Sequence, residues 1–272
     1  MATTELAPDR AETDAARDAP RRITGATLIW PLTVAVISLG AWEFISRTEI
    51  VDPIILPPPT EVAAALVRLC QRGFFWEAVE VTVLETVLGF VIGCAAGFIL
   101  GAAIGTVKQV RWAIYPFIIA FQNTPRVAFA PVFLTWFGFG MASKVVMAAA
   151  ICFFPLLINV VVGIETVDEH ARELMRSYGA SKRQTFFKVT LPSSLPLVFA
   201  GLKTAMTLAL IGAIVAEFVG ATEGLGVLIN TFNFQLDVAE AFAVVVMLSI
   251  IGLILYGAIE LLDRKVVFWR DH

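Results

Sequence analysis

The sequence predicts an all-α polytopic membrane protein with about six transmembrane helices. The chain has 272 residues, of which 58% are hydrophobic, whereas soluble domains contain about 45–50% apolar residues. Several apolar runs reach about 18 residues, the length that lets a helix cross the hydrocarbon core of a bilayer. The net charge of −3 says little, because in such a chain the placement of the charges matters more than their sum.

The N-terminal part divides into a tail and a first span. Residues 1–22 consist mainly of Ala, Asp, Glu, Thr and Arg, a composition that predicts a disordered cytoplasmic tail. The next segment, 23–76, opens with an apolar run at 23–46 that predicts the first transmembrane helix. Trp30 and Trp42 lie near the ends of this run, where tryptophan anchors a span at the membrane interface.

The rest of the segment 23–76 is expected on the outer surface. Residues 52–60 are rich in proline and cannot be helical throughout, because proline lacks the N–H donor that a helix requires. Residues 61–69 regain a helical pattern with apolar side chains on one face. This pattern predicts an amphipathic helix that lies at the membrane interface.

The core segment of the chain is expected at 77–265, and it begins with the second span, 78–106. A regular glycine spacing is the main feature of this span. Because the glycines recur at every fourth position, they form one smooth face of the helix, and small residues let a neighbouring backbone approach closely. We interpret this face either as a seam along which helices slide or as tight packing within one subunit. The helix-packing residues are Gly89, Gly93, Gly97 and Gly101.

The third span is predicted to be broken. The apolar stretch 110–140 contains Pro116, Pro125 and Pro131, and proline frees backbone carbonyls that a membrane tolerates only beside protein or water. Arg126 lies in the same stretch, and a charged side chain at membrane depth is by default functional. It is expected to face a cavity or to pair with an acid, for which the candidates are Glu85 and Glu217. The predicted residues of a translocation pathway are Gln122, Asn123, Pro125, Arg126 and Glu217.

Three further spans complete the prediction, and the distribution of charge orients all of them. They are expected at 145–164, 193–219 and 239–262. An outer re-entrant loop is expected at 220–234, and the chain ends in a cytoplasmic tail, 266–272. Lys and Arg are concentrated near both termini and in one loop, whereas the opposite side holds few, among them Lys144. Because cytoplasmic segments are enriched in Lys and Arg, both termini are predicted to be cytoplasmic.

One long polar loop, 165–192, separates the fourth span from the fifth. A quarter of the chain's 20 Lys and Arg residues lie in it: Arg172, Arg176, Lys182, Arg183 and Lys188. Apolar residues at three- and four-residue intervals predict an amphipathic helix in its first half, and Gly179 suits the end of that helix. Ser181 and Gln184 have the spacing of a capping box and predict a second short helix, ending at Leu191-Pro192. On this pattern alone, a solvated connector is an equal alternative.

The loop also resembles the signature of the membrane subunits of ABC importers: Glu-Ala-Ala, three residues, Gly, nine residues, Ile, one residue, Leu-Pro. The residues that match it in type and spacing are Glu173, Gly179, Leu191 and Pro192. The departures are all apolar: Leu174 and Met175 replace the two alanines, and Val189 replaces the isoleucine. Farther upstream, the chain resembles the nitrate, sulfonate and taurine branch of these permeases at Leu56, Pro57 and Pro59. The chain is therefore similar to a binding-protein-dependent transport permease.

That resemblance implies a type I ABC importer permease core in a bacterial inner membrane. It also implies a permease dimer, expected to be a homodimer, with two ATPase subunits inside the cell and a solute-binding protein outside. ATP and Mg²⁺ would be held by the ATPase subunits, so no cofactor is expected in this chain. The solute would be a sulfonate, taurine, nitrate, a pyrimidine precursor or an aromatic acid. The residues implied to couple the permease to the ATPase are Glu173, Tyr178, Gly179, Ala180, Ser181, Lys182, Leu191 and Pro192.

Other function classes find little support in the sequence. Residues 138–144 lack the glycine that a phosphate-binding loop requires before its lysine, so no nucleotide site is expected. Two distant histidines and three cysteines in apolar contexts predict neither a metal site nor a disulfide framework. The alternative is an ion-gradient-driven secondary transporter, although the spans show no convincing internal repeat. An intramembrane enzyme would need paired catalytic groups at depth; no catalytic residue and no nucleic-acid partner are expected.

Overall fold

The fold is described from a computed structural model that covers residues 25–48, 50–52, 54–122 and 124–269. Within these ranges the chain is built from helices and contains no β-strand. The helices in chain order are α1 Gly25–Arg47, α2 Pro59–Cys70, α3 Gly73–Thr106, α4 Lys108–Gln122, α5 Ala130–Phe137, α6 Met141–Glu165, α7 Glu169–Ser177, α8 Lys182–Thr185, α9 Leu191–Gly220, α10 Leu225–Phe234 and α11 Val238–Val266. The tail predicted at 1–22 and the last three residues of the tail predicted at 266–272 lie outside the described residues.

The number of membrane crossings agrees with the sequence-based prediction. Across the described ranges, five helical runs are long and apolar enough to span a membrane: α1, α3, α6, the run that ends with α9, and α11. A sixth span is complete if α4 and α5 are counted as one broken crossing; they are joined through the 3₁₀ turn Arg126–Phe129 and bent by 88°. The predicted all-α membrane protein with about six spans is thereby confirmed, and its third span is broken.

Helices α3, α6 and α9 form the centre of the subunit. The glycine face of α3 lies against α6, and a Cβ added to Gly93 would come within 2.5 Å of the Ala149 carbonyl oxygen and of the Cys152 sulfur. A Cβ on Gly97 would lie 2.7 Å from the Phe153 carbonyl oxygen. The absence of side chains therefore lets two backbones meet. The four predicted helix-packing glycines all face α6 of the same chain: Gly89, Gly93, Gly97 and Gly101.

The two ends of this bundle differ. At one end, α2, α10 and α11 pack on α3 and α9 around an apolar cluster that includes the fully buried Leu69 and Phe75. We call it the α2–α10 end; the opposite one, which carries α7 and α8, is the α7–α8 end. Helix α1 lies at the periphery with most of its apolar side chains exposed. It is tied to α2 by Glu43, which accepts hydrogen bonds from the Thr60 hydroxyl at 2.8 Å and the Thr60 N–H at 3.2 Å.

The second short helix of the polar loop does not end at Leu191-Pro192, so that expectation is wrong. Helix α8 continues through one π-helical turn, Phe186–Thr190, directly into α9. In that turn the Leu191 N–H donates to the Phe186 carbonyl oxygen, five residues back. Pro192 then lies in the first turn of α9, where a missing N–H and a fixed φ are tolerated. The hydrogen-bond pattern changes from π-helical to α-helical just before Pro192. The helix itself is not interrupted there, so the loop is continuous with the fifth span.

Candidate functional site

The polar loop folds as a helical hairpin of residues 165–190, which we call the basic hairpin. At its start, Glu165 at the end of α6 forms an ion pair with Arg111 of α4, at 2.5 Å. The Asp168 carboxylate then accepts a backbone N–H at 2.9 Å and caps α7. The hairpin is therefore held to the ends of two membrane helices before its first turn begins.

A tight turn connects the two arms of the basic hairpin. Gly179 has a φ of +73°, a backbone conformation that favours glycine. Its N–H donates to the Arg176 carbonyl oxygen at 2.9 Å, and the Ala180 N–H donates to the Met175 carbonyl oxygen at 3.0 Å. These two bonds form a Schellman motif, which satisfies the last carbonyls of α7. The helix stop predicted at Gly179 is therefore present.

The predicted capping box is also present and starts the second arm. The Ser181 hydroxyl accepts the Gln184 N–H at 3.3 Å, and the Gln184 side-chain oxygen accepts the Ser181 N–H at 2.8 Å. Because α8 runs on through the π-helical turn, these bonds connect the turn at Gly179 to the fifth span without a flexible joint. The second arm of the hairpin is a continuous helical extension of α9.

Large apolar side chains are exposed on this hairpin. The exposed fractions of Leu174, Tyr178 and Phe187 are 57%, 81% and 55%. Of the predicted coupling residues, Glu173, Tyr178, Gly179, Ser181 and Lys182 are exposed, and Ala180, Leu191 and Pro192 are half-buried. The first six lie together on the hairpin, whereas the last two begin α9. Exposed apolar groups of this size are typical of a surface that binds another protein or a membrane.

Arg126 lies at the break in the third span. Its Nη1 donates to the Ile151 carbonyl oxygen of α6 at 3.1 Å, and its Nη2 donates to the Gln122 carbonyl oxygen at 3.3 Å. The guanidinium also lies 4.6 Å from the centre of the Phe154 ring. No carboxylate of the described chain pairs with it, so the acid-pairing alternative is wrong. Carbonyl oxygens and an aromatic face hold the cation instead.

The remaining predicted pathway residues are distributed between two places. Gln122 and Pro125 flank the break in the third span, and Asn123, between them, lies outside the described residues. Glu217 lies far from that break along the chain and is only 1% exposed. In the described conformation Glu217 is part of the protein interior.

Glu217 is the centre of a buried polar cluster at the α2–α10 end. Its carboxylate accepts the Thr82 hydroxyl at 2.6 Å and the Gly226 N–H at 2.5 Å. The Leu225 N–H donates to the same Thr82 hydroxyl at 2.9 Å. Glu85, which is 2% exposed, lies beside Glu217. The cluster ties the first turn of α10, with its unpaired N–H groups, to α3 and α9.

Lys144, which the charge count places on the outer side, belongs to this cluster at the α2–α10 end and is buried in it. It lies in the first turn of α6 and is 2% exposed. Its ammonium donates to the carbonyl oxygens of Phe139 and Gly140 and faces Glu85 and Glu217. A buried cation beside two buried carboxyl groups offsets their charge. The sequence signal for this cluster was the pair of acids within otherwise apolar spans.

Comparisons with known proteins agree with this architecture. The family described as "Binding-protein-dependent transport system inner membrane component" matches residues 90–268. The riboflavin transport system permease protein RibX of Chloroflexus aurantiacus is 38% identical over 216 residues, which is 79% of this chain and 81% of the relative. The formylaminopyrimidine transport permease protein ThiX of Halalkalibacterium halodurans is 34% identical over 240 residues, 88% of this chain and 95% of the relative.

A solved structure has the same fold. The inward-facing MetNI methionine ABC transporter superposes with a TM-score of 0.57 at 21% sequence identity, covering 70% of this chain and 93% of that one. The family match and the relatives confirm the resemblance found in the loop signature. The shared fold confirms the predicted type I importer core. The chain therefore belongs to the family of binding-protein-dependent transport system inner membrane components, and it is the transmembrane permease subunit of an ATP-driven ABC importer of a small solute.

Proposed function

We propose that two copies of this chain form a homodimer in a bacterial inner membrane, with both termini in the cytoplasm. Two ATPase subunits dock at the basic hairpins, and a solute-binding protein delivers its ligand at the α2–α10 end. The chain itself supplies no catalytic group, holds no cofactor and binds no nucleic acid; ATP and Mg²⁺ belong to the ATPase subunits. The excess of Lys and Arg at the α7–α8 end supports this orientation.

The observation that carries the proposal is the continuous, hydrogen-bonded connection between the basic hairpin and the fifth span. A displacement applied at Tyr178 reaches α9 through the Schellman turn, the capping box and an uninterrupted helix. A flexible linker would absorb such a displacement, whereas hydrogen-bonded helices transmit it. Closure of the ATPase dimer would thereby move the helices that line the pathway.

The solute is proposed to be a small organic or inorganic molecule. The two relatives above are named for riboflavin and formylaminopyrimidine, both nitrogen heterocycles, which favours that class for this chain. The similarity of Leu56, Pro57 and Pro59 to the nitrate, sulfonate and taurine branch supports the wider set of sulfonates, taurine, nitrate and aromatic acids.

Purification tests the proposed function. The tagged chain should co-purify with an ATPase subunit, and uptake in reconstituted vesicles should require ATP hydrolysis by that subunit. An ATPase variant without its catalytic carboxylate should bind the permease normally and give no uptake. Uptake driven by an ion gradient, by this chain alone, would instead establish the secondary-transporter alternative.

We also propose that the break in the third span lines the translocation pathway, with Gln122, Asn123, Pro125 and Arg126 on its wall. Irregular backbone at membrane depth is tolerated where it faces a cavity, and Arg126 is held there by carbonyl oxygens rather than neutralised by an acid. Its charge therefore remains available to a solute.

Arg126→Ala is expected to lower uptake at least tenfold while the variant still assembles with the ATPase. The guanidinium makes one hydrogen bond to Ile151 of α6 and one to Gln122 at the end of α4, besides its contact with the Phe154 ring. We expect the core packing to survive the loss of these contacts. Uptake and complex yield would be measured together, with Arg126→Lys as the charge-retaining control. Loss of the assembled complex in Arg126→Ala, with Arg126→Lys assembled, would instead assign the residue a structural role.

A further inference from the structure

A cavity of about 630 Å³ lies between the basic hairpin and the ends of the membrane helices. One wall is the turn between α3 and α4, and the other is formed by α7, α8 and the π-helical turn. Its floor includes Ile164, at the end of α6. Because α3 ends at Thr106 and α6 at Glu165, the cavity lies beside the ends of these two spans at the α7–α8 end.

The walls of this cavity are strongly cationic. Five basic residues line it and no carboxylate does: Lys108, Arg172, Arg176, Lys182 and Arg183. Among the described residues, none of these five forms an ion pair. The Arg172 side chain donates to the Ile164 carbonyl oxygen, and its buried Nε has no hydrogen-bond partner in that part of the chain. Five uncompensated cations and an unsatisfied buried donor predict an anionic ligand.

The same cavity has an apolar side. Phe186 and Phe187 lie on its wall, and Val107, also on the wall, is 41% exposed. Close by in sequence, Trp112 is 78% exposed on α4, as is typical of a side chain in the headgroup region. An anionic group attached to an apolar tail matches this combination, whereas a free ion would leave the apolar wall unused.

The α7 wall of the cavity lies on the opposite side of that helix from the exposed Leu174, whereas Ala180 and Lys182, two of the predicted coupling residues, line the other arm of the hairpin. Successive residues of an α-helix are rotated by about 100°, so Arg172 and Arg176 share one face of α7, and Leu174 is rotated by roughly 200° from Arg172. Leu174 is on the exposed side, and the two arginines line the cavity. One helix thus presents an apolar face outwards and a cationic face towards the membrane surface.

We propose that this cavity binds the phosphate headgroup of an anionic phospholipid from the cytoplasmic leaflet. Arg172 and Arg176 provide forked donors that suit phosphate oxygens, and Lys108 adds a charge from the opposite wall. The bound headgroup would fill the gap between α4 and the basic hairpin and hold the hairpin against the membrane. The inference rests on the proposed orientation, because that orientation puts the α7–α8 end in the cytoplasmic leaflet.

The test uses the full chain in nanodiscs of phosphatidylcholine, with and without phosphatidylglycerol. Retention of each lipid would be measured by native mass spectrometry and thermal unfolding. The variant K108Q/R176Q removes two lining charges; the matched control K188Q/K265Q removes two exposed charges that do not line the cavity. The preference for phosphatidylglycerol is expected to fall by about fivefold per charge, ~25-fold in all, in the cavity variant only. Equal preference in the parent and both variants would overturn the proposal.

Two further experiments distinguish a phospholipid from the other possible occupants of the cavity. Inorganic phosphate in phosphatidylcholine discs should stabilise the chain far less than phosphatidylglycerol; equal stabilisation would show a site for free anions and overturn the lipid assignment. Added ATPase subunit should leave phosphatidylglycerol retained, whereas its displacement would show that the cavity is a protein-docking surface. If the ATPase fails to bind while the lipid preference persists, the proposed function fails and the lipid site stands.

Discussion

Gly179→Pro is expected to abolish ATP-driven uptake while the chain remains in the membrane. Proline requires a φ near −65°, whereas Gly179 has a φ of +73°. Proline also lacks the N–H that Gly179 donates to the Arg176 carbonyl oxygen at 2.9 Å. Both effects open the same turn, at a cost of about 3 kcal/mol or more, which reduces the population of the formed hairpin by roughly 100-fold. The spans pack without this turn and should persist.

The measurement is uptake in vesicles together with the yield of bound ATPase. Gly179→Asn is the matched control, because asparagine keeps the N–H and tolerates a positive φ better than other residues. It should retain most of the uptake. Normal uptake and normal ATPase binding by Gly179→Pro would show that the turn has no part in coupling.

Glu217→Ala is expected to destabilise the permease by about 3–5 kcal/mol. The substitution removes the acceptor of two buried hydrogen bonds, from the Thr82 hydroxyl and the Gly226 N–H, and leaves both donors without their partner. It also leaves the Lys144 ammonium beside one carboxyl group instead of two. The first turn of α10 should detach from α3 as a result.

Thermal unfolding of the purified chain measures this effect, with uptake recorded in parallel. Glu80→Ala is the control on the same helix as Thr82, because Glu80 is exposed and should change the unfolding temperature little. Glu217→Gln keeps one acceptor oxygen and should lose less than half as much stability. A fully stable Glu217→Ala variant that fails to transport would support the pathway role predicted from the sequence and contradict the structural one.

Features encoded within a few residues could be predicted from the sequence. The helix stop at Gly179 and the capping box of Ser181 and Gln184 involve bonds across three to five positions, so the residue types specify them directly. The break in the third span follows from the same local logic, because Pro125 cannot donate within a helix. The spans and the shape of the basic hairpin could be predicted from such local patterns.

Contacts between distant parts of the chain could not be predicted in this way. Glu85, Lys144 and Glu217 come from three different helices, and only the packing of α3, α6 and α9 brings them together. Counting charges along the chain indicates the side of the membrane on which Lys144 lies, but it does not indicate that the side chain is buried. Pro192 was expected to end a helix, whereas the π-helical turn before it absorbs the change in hydrogen bonding.

Site-specific photo-crosslinking tests most directly whether the basic hairpin is the surface through which the ATPase acts. A photoreactive phenylalanine analogue would replace Tyr178, which is 81% exposed on the hairpin, or Phe234, which is 89% exposed at the α2–α10 end. We predict an adduct with the ATPase subunit from position 178, with a yield that changes when ATP is bound, and none from position 234. An adduct from position 234, or none from position 178 in a complex that still transports, would contradict the account.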